Sequence, residues 1–155
     1  MIDEILTTNT IITDDDLTTL EEIVGKRSFI TCTSGTTGKP KLIVHTHQSA
    51  VWQAESYHSA GLISHNDTVT AWASSSFIIH VIDLTYAWPN GASLLLLKEG
   101  GHMNVNYLTC AIHKHHATYI LTSPVILQML IDYFKQQSDA VNRLSSLRIL
   151  STAGE

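Results

Sequence analysis

The sequence predicts an α/β fold with a mostly parallel sheet flanked by helices. Apolar runs of strand length alternate five times with stretches in which apolar residues recur at helical spacing. This alternation is typical of parallel sheets, because consecutive parallel strands need a crossover connection, usually a helix. Hydrophobic residues make up 44% of the 155 residues and charged residues 15%, which indicates a folded chain with a substantial core.

The first part of the chain is predicted to contain a polar segment, two strands and one helix. The polar segment covers residues 1–27, and the first strand begins at residues 28–30. Thr46 is a suitable N-cap for a helix over residues 47–59, in which apolar residues recur at intervals of three and four. The apolar run at residues 69–73 predicts the second strand.

The middle of the chain is predicted to form a helix, a strand and a second helix. The first helix lies near residues 80–88 and is closed by the turn at residues 89–91, which reads Pro-Asn-Gly. Residues 93–97 form an unbroken apolar run, which is typical of a strand covered on both faces. The next helix lies near residues 104–116.

The last part of the chain is predicted to add a strand, a helix and a final strand. Residues 118–121 form the fourth strand. Ser123 followed by Pro124 is a strong helix start, because the serine can cap the helix and proline suits its first turn. The final strand covers residues 147–150, so the predicted sheet contains five strands in all.

Charge, hydropathy and cysteine content exclude several classes of protein. The net charge is −5 and no basic tract is present, which argues against a nucleic acid partner. No apolar run approaches the ~20 residues that a membrane span needs. The N-terminus lacks the pattern of a signal peptide, and Cys32 and Cys110 lie far apart, so we expect a cytoplasmic protein.

One loop between two apolar runs has the composition of a polyanion-binding site. It combines hydroxyl side chains, glycines and lysines: Thr33, Ser34, Gly35, Thr36, Thr37, Gly38, Lys39, Pro40 and Lys41. Hydroxyls and backbone N–H groups can donate to phosphate oxygens, and the lysines supply charge. The loop is not a Walker A motif, because its glycines are only three residues apart. A plain hairpin turn is the alternative, but a turn does not require this ordered set of residues.

The loop resembles the phosphate-binding signature of the adenylate-forming enzymes, which reads T-S-G-T-T-G-x-P-K-G. Residues 33–41 match every fixed position through the second lysine, whereas Leu42 replaces the final glycine. This superfamily contains acyl-CoA synthetases, adenylation domains of nonribosomal peptide synthetases, and luciferases. The resemblance implies that the loop holds the β- and γ-phosphates of ATP, and that residues 28–155 are part of the large N-terminal domain of such an enzyme.

A second segment resembles the substrate-binding pattern F-D-x-S of the peptide synthetases. Phe77 matches the aromatic residue, Ile78 stands where amino-acid-activating domains carry an aspartate, and His80 stands at the serine position. The resemblance implies a substrate pocket that contains these three residues. Without the aspartate, a substrate ammonium would be poorly compensated, so we expect a carboxylic acid that lacks an α-amino group. His80 could face the carboxylate, or it could be a surface or cap residue.

The end of the chain resembles the segment L-R…G-G-E of the same superfamily. By this resemblance, Ala153, Gly154 and Glu155 line the adenine and acyl pockets, with Ala153 in place of the first glycine. The segments expected to supply the magnesium-binding glutamate and the catalytic lysine would follow Glu155. We therefore expect the chain to be a central piece of a longer enzyme, inactive by itself, and we assign no catalytic residue within it.

The resemblance implies an AMP-forming ligase that joins a carboxylic acid to the α-phosphate of ATP. The acyl-adenylate would then pass to a thiol of CoA or of a carrier protein, with Mg²⁺ as the metal cofactor. The alternative is a non-catalytic truncated remnant or a nucleotide-binding module. The histidines His113, His115 and His116 lie together at a predicted helix C-terminus and have two interpretations. They could bind a metal, but we favour a structural role, because basic residues at a helix C-terminus suit the helix dipole. We therefore assign no metal ligand.

Overall fold

The computed structural model describes residues 27–32, 42–73 and 77–153, and it confirms the predicted α/β class. The chain divides into two compact units, residues 1–49 and residues 50–155. The phosphate loop at residues 33–41 lies outside the described residues, as does the polar segment apart from Arg27.

The first unit contains an antiparallel pair of strands on either side of the loop. Strand β1 (Arg27–Cys32) pairs with β2 (Leu42–Thr46), from Arg27 opposite Thr46 to Cys32 opposite Leu42. His45 of β2 stacks on Phe29 with ring centroids 4.4 Å apart. The prediction that the first strand belongs to the parallel sheet was therefore wrong. The nine residues between β1 and β2 allow a hairpin, whereas a parallel crossover needs a dozen or more.

The other elements in the described ranges are four strands, four α-helices and two short 3₁₀-helices. The strands are β3 (Thr68–Ala71), β4 (Ser93–Leu96), β5 (Tyr119–Thr122) and β6 (Ile149–Thr152). The α-helices are α1 (His47–Ser59), α2 (Ile78–Ala87), α3 (Val105–Lys114) and α4 (Pro124–Gln136). The 3₁₀-helices cover Gly101–Met103 and Ser138–Leu144. Every helix predicted in this region is present, with ends shifted by no more than two residues.

The four strands form a parallel sheet in the order β4-β3-β5-β6. Two strand–helix–strand halves meet in it: β3-α2-β4 and β5-α4-β6. The halves are joined where β3 pairs with β5, at Val69 opposite Tyr119 and Thr70 opposite Ile120, and we call this pairing the central seam. Because all four strands run in one direction, their carboxyl ends lie at one edge of the sheet, where α/β proteins place their sites.

A hydrophobic cluster lies on each face of the sheet. Tyr119 and Leu121 of β5 belong to one cluster, which includes Tyr86 of α2, whereas Ile120 belongs to the other, which includes Leu108 of α3. The two sets alternate along β5 because successive side chains of a strand point to opposite faces. All four residues of β5 are buried, so helices cover both faces of the sheet here.

Strand β4 differs from its prediction as a strand covered on both faces. Among the described residues it pairs only with β3, and it is therefore an edge strand. Leu96 is 66% exposed, and no residue of β4 is fully buried. An unbroken apolar run indicates that a strand prefers to be buried. It does not indicate which other strands and helices will pack against that strand.

The helix caps predicted from the sequence are present. The side-chain oxygen of Thr46 accepts a hydrogen bond from the backbone N–H of Ser49 at 3.1 Å, before the second turn of α1. The side-chain oxygen of Ser123 accepts from the N–H of Ile126 at 3.4 Å, with Pro124 in the first turn of α4. Both caps satisfy N–H groups that the helix itself leaves without a partner.

A buried carboxylate ties the amino ends of three strands together. Asp67, which precedes β3, is 5% exposed and accepts from the Thr118 hydroxyl at 2.7 Å. The Arg148 guanidinium, before β6, lies 3.0 Å from both Asp67 oxygens and also donates to the carbonyls of Gly61 and Leu62. Burial alone would raise the pKa of Asp67, but hydrogen bonds from Thr118, Arg148 and Ser64 outweigh it, so the pKa is lowered.

Across the described ranges, no helix combines the length and the apolar character that a membrane span requires.

Candidate functional site

An apolar cavity of about 350 Å³ lies at the carboxyl edge of the parallel sheet. Its wall is formed by residues that follow β3, β5 and β6, by the first turns of α2 and α4, and by the 3₁₀-helix Gly101–Met103. The main apolar side chains of the wall are Trp72, Phe77, Ile79, Met103, Val125 and Ile126. Ligand pockets in proteins are concave and mostly apolar with few polar groups, so this cavity suits a hydrocarbon or aryl group.

A second cavity of about 520 Å³ lies beside the carboxyl ends of β3 and β4. Its wall is more polar and includes His80, Lys98 and Glu99, together with the apolar side chains of Leu96 and Leu97. The Lys98 ammonium lies 4.5 Å from the centre of the Tyr107 ring, so a cation–π contact holds it at the rim.

The rings of Trp72 and His102 form part of the wall of both cavities. Their centroids are 5.2 Å apart and their planes are inclined by 49°. The indole N–H of Trp72 donates to the backbone carbonyl of Leu121 in β5, so the indole is tied to the sheet. His102 reaches the same place from the 3₁₀-helix Gly101–Met103.

The structure places the predicted substrate residues at two different cavities. Phe77, which is 63% exposed, lines the apolar cavity, and so does Ala153 from the end of the chain. His80 lines the second cavity instead. Ile78 is partly buried in the first turn of α2 and is not part of the wall of either cavity. Phe77 and Ala153 are thus brought together from segments that are distant along the chain.

Other predicted site residues lie outside the described part of the chain. These are the phosphate-loop residues 33–41 together with Gly154 and Glu155. Their assignment to the phosphates and to the adenine and acyl pockets stays a prediction.

Several wall residues carried no signal in the sequence. Trp72, Val125 and Met103 belong to the cavity because they follow strand ends or lie in a short connection, not because they form a motif. The rule that parallel strands place their sites at their carboxyl ends would have indicated Trp72, which directly follows β3.

Behind the site, α2 carries a buried carboxyl group. Asp83 is 0% exposed, and neither of its carboxyl oxygens has a hydrogen-bond partner among the described residues. Burial raises the pKa of Asp83 to about 8, so it is mostly protonated at neutral pH. Burial also raises the pKa of Tyr86 and of Tyr119, and the charge of a nearby Asp83 carboxylate acts in the same direction.

The chain belongs to the AMP-binding enzyme family, whose sequence profile matches residues 15–155. Bacitracin synthase 3 of Bacillus licheniformis is 32% identical over 132 residues, which cover 83% of this chain and 2% of that protein. Acetyl-coenzyme A synthetase of Xylella fastidiosa (strain 9a5c) is 31% identical over 132 residues, which cover 82% of this chain and 20% of that enzyme. The chain therefore spans only a small part of the relatives that it matches.

A comparison of structures gives the same fold. The N-terminal domain of FACL13 from Mycobacterium tuberculosis superposes with a TM-score of 0.69 at 22% sequence identity. The match covers 83% of this chain and 31% of that one. The chain thus shares its parallel sheet with helices on both faces with that N-terminal domain.

Proposed function

We propose that the chain is part of an AMP-forming ligase that activates a carboxylic acid with ATP. The acid would attack the α-phosphate to give an acyl-adenylate and pyrophosphate, and a thiol of CoA or of a carrier protein would then take the acyl group. The observation that carries this proposal is the apolar cavity at the carboxyl edge of the sheet, in a chain of the AMP-binding enzyme family. Phe77 and Ala153, from two segments with the family pattern, line that cavity together.

The phosphate loop is the part of the chain that we propose for ATP. Thr33 to Lys41 would hold the β- and γ-phosphates through hydroxyls, backbone N–H groups and two lysines. Holding the leaving pyrophosphate in place is electrostatic and positional catalysis. For Mg²⁺ we propose no ligand here, because the described residues contain no group of three acidic, histidine or cysteine side chains.

We propose a fatty or aryl acid without an α-amino group as the substrate class. The described side chains that line the apolar cavity include aromatic and aliphatic residues, and none of them is a carboxylate. Ile78 occupies the sequence position where the amino-acid-activating domains carry their aspartate. An ammonium group in this cavity would lose its hydration and gain no counter-charge from the described part of the wall.

Phenylpropanoate and phenylalanine provide a matched test of the substrate class, because they differ only in the α-ammonium group. We expect the chain to bind phenylpropanoate at least about tenfold more tightly, since an uncompensated ammonium costs more than ~1.4 kcal/mol on transfer to such a cavity. Calorimetric titration of the chain in the presence of ATP measures both affinities, and pyrophosphate exchange by a longer enzyme that contains this chain tests the same pair for adenylation. Preference for phenylalanine in either measurement would contradict the assignment.

Lys41→Ala tests the phosphate loop. We expect ATP to bind about 10- to 150-fold more weakly, because one charge-assisted contact is worth roughly 1.5–3 kcal/mol. Lys135→Ala is the matched control, since Lys135 lies on the exposed side of α4 and pairs with Asp132 at 3.0 Å. Titration of each variant with ATP and with pyrophosphate gives the comparison. Equal affinities for the two variants would remove the loop from the proposed function.

A further inference from the structure

We propose that the ring pair of Trp72 and His102 sets the longest acyl chain that the apolar cavity accepts. This inference rests on the proposed function, because it assumes that the cavity takes the hydrocarbon part of a carboxylic acid. It adds the residues that determine specificity for chain length. The pair lies between the apolar cavity and the second cavity, and its two rings belong to the wall of both.

The indole of Trp72 is the fixed side of this wall. Its N–H donates to the carbonyl of Leu121, which lies in the neighbouring strand β5. The indole also packs against the hydrophobic cluster that contains Leu108 and Ile112. A ring held by both a hydrogen bond and packing cannot swing aside without losing both interactions.

The imidazole of His102 is the side of the wall that a substitution can open. Its backbone is held in place on both sides, because the N–H of Gly101 donates to the carbonyl of Lys98 at 2.8 Å. The N–H of Met103 likewise donates to the carbonyl of Gly100 at 3.1 Å. The His102 side chain itself is only partly buried, and none of its ring atoms makes a hydrogen bond within the described residues. Removing the ring should therefore remove the wall while it leaves the surrounding fold in place.

The space behind the wall can accept hydrocarbon. Leu96 and Leu97 contribute apolar surface to the second cavity, which is larger than the first, at about 520 Å³ against about 350 Å³. An acyl chain that passed the position of the His102 ring would bury further methylene groups against these leucines. The barrier to a longer chain is thus the ring pair and not a lack of volume.

The test is a titration of the full 155-residue chain with straight-chain saturated carboxylates of four to sixteen carbons, below their micelle concentrations. Each methylene that the cavity buries should raise the affinity about fourfold. This increase should stop at the length at which the acyl chain reaches the ring pair. In His102→Ala the gain should continue over at least two further methylenes. Acids just longer than the limit found for the unmodified protein should then bind more than tenfold more tightly to this variant than to the unmodified protein.

Two control variants separate the wall from a general effect on the fold. His102→Phe keeps a ring at this place, so the gain should stop at the same length as in the parent. His113→Ala removes an exposed histidine in the last turn of α3 and should leave the whole profile unchanged. If His102→Ala does not fold, as judged by circular dichroism, Trp72→Leu is the second variant. It opens the same wall at the residue that follows β3, and it keeps an apolar side chain against the cluster.

The outcomes distinguish this inference from the proposed function. A longer stopping length in His102→Ala or in Trp72→Leu, but not in His102→Phe, supports the wall. If acids bind to the parent and to the folded open variants with the same stopping length, the wall is refuted and the proposed function stands. If the parent and the variants bind no carboxylate of any length, the proposed function itself is refuted and this inference with it.

Discussion

Replacing Arg148 with alanine is expected to lower the free energy of unfolding by about 3 kcal/mol, because it leaves the buried carboxylate of Asp67 without its counter-charge. The variant would also leave the carbonyls of Gly61 and Leu62 without the guanidinium donor. Arg148 is 45% exposed, so we place the loss at the low end of the range for buried pairs. Urea denaturation of the parent and the variant measures the difference.

Lys135→Ala is the control for this prediction. Its partner Asp132 is 53% exposed, and exposed pairs of this kind contribute between zero and about 1 kcal/mol. Folding lowers the pKa of Asp67 below its value in the unfolded chain. The ionised Asp67 carboxylate therefore stabilises the fold at pH values above its unfolded pKa, and this stabilisation is lost as the pH falls through its folded pKa. The difference between parent and Arg148→Ala should therefore shrink below pH ~4. An equal loss in Lys135→Ala would contradict the special role of Arg148.

Replacing Asp83 with asparagine is expected to stabilise the protein at high pH. The folded pKa of Asp83 is raised to about 8, so between pH ~4 and ~8 the unfolded chain releases a proton that the folded chain retains. Stability should therefore fall as the pH rises through this range, and the loss should be complete above it. Asparagine stays neutral, so at pH 9 the variant should be more stable than the parent by roughly 3–5 kcal/mol.

The Asp83→Asn variant and the parent should have similar stabilities near pH 4, where both side chains are neutral. Thermal unfolding at pH 4, 6, 7.5 and 9 measures the divergence of the two curves. Asp139→Asn is the control, because Asp139 is exposed in the 3₁₀-helix Ser138–Leu144 and its replacement makes the same change of side chain outside the core. If the stabilities of Asp83→Asn and of the parent change with pH in the same way, the prediction is wrong. The folded protein then stabilises the ionised Asp83 carboxylate as well as water does.

Local signals in the sequence predicted the secondary structure well. Thr46 and Ser123 mark the starts of α1 and α4 because a cap acts within a few residues of its own position. The alternation of strands and helices along the chain also predicted the parallel sheet, because two strands connected by a helix usually run in parallel. The first strand was assigned to the wrong sheet, because its pairing depends on the length of the connection that follows it.

The walls of the site depend on contacts that no local pattern encodes. Trp72, Val125 and Ala153 meet only after β3, β5 and β6 have paired, and the sequence separates them by tens of residues. The same is true of Asp67 and Arg148, whose ion pair forms only after the strands that follow them have joined one sheet. The apolar run alone also favoured full burial of β4, which pairs only with β3 among the described residues.

The central seam has a consequence for the order in which the second unit folds. Each half of the sheet, β3-α2-β4 and β5-α4-β6, connects strands that are close along the chain. The seam instead joins positions as distant as Asp67 and Thr118, which are 51 residues apart. Closing a longer loop costs more chain entropy before any contact repays it, so we expect the halves to form first and the seam to close in the slow step.

This order links the folding kinetics to the ligand. The apolar cavity is lined by Trp72 on one side of the seam and by Val125 on the other, so it exists only when the seam is closed. A bound acid therefore favours the closed seam by mass action and resists separation of the two halves. An acid bound in this cavity would thus also stabilise the pairing of the two halves of the sheet.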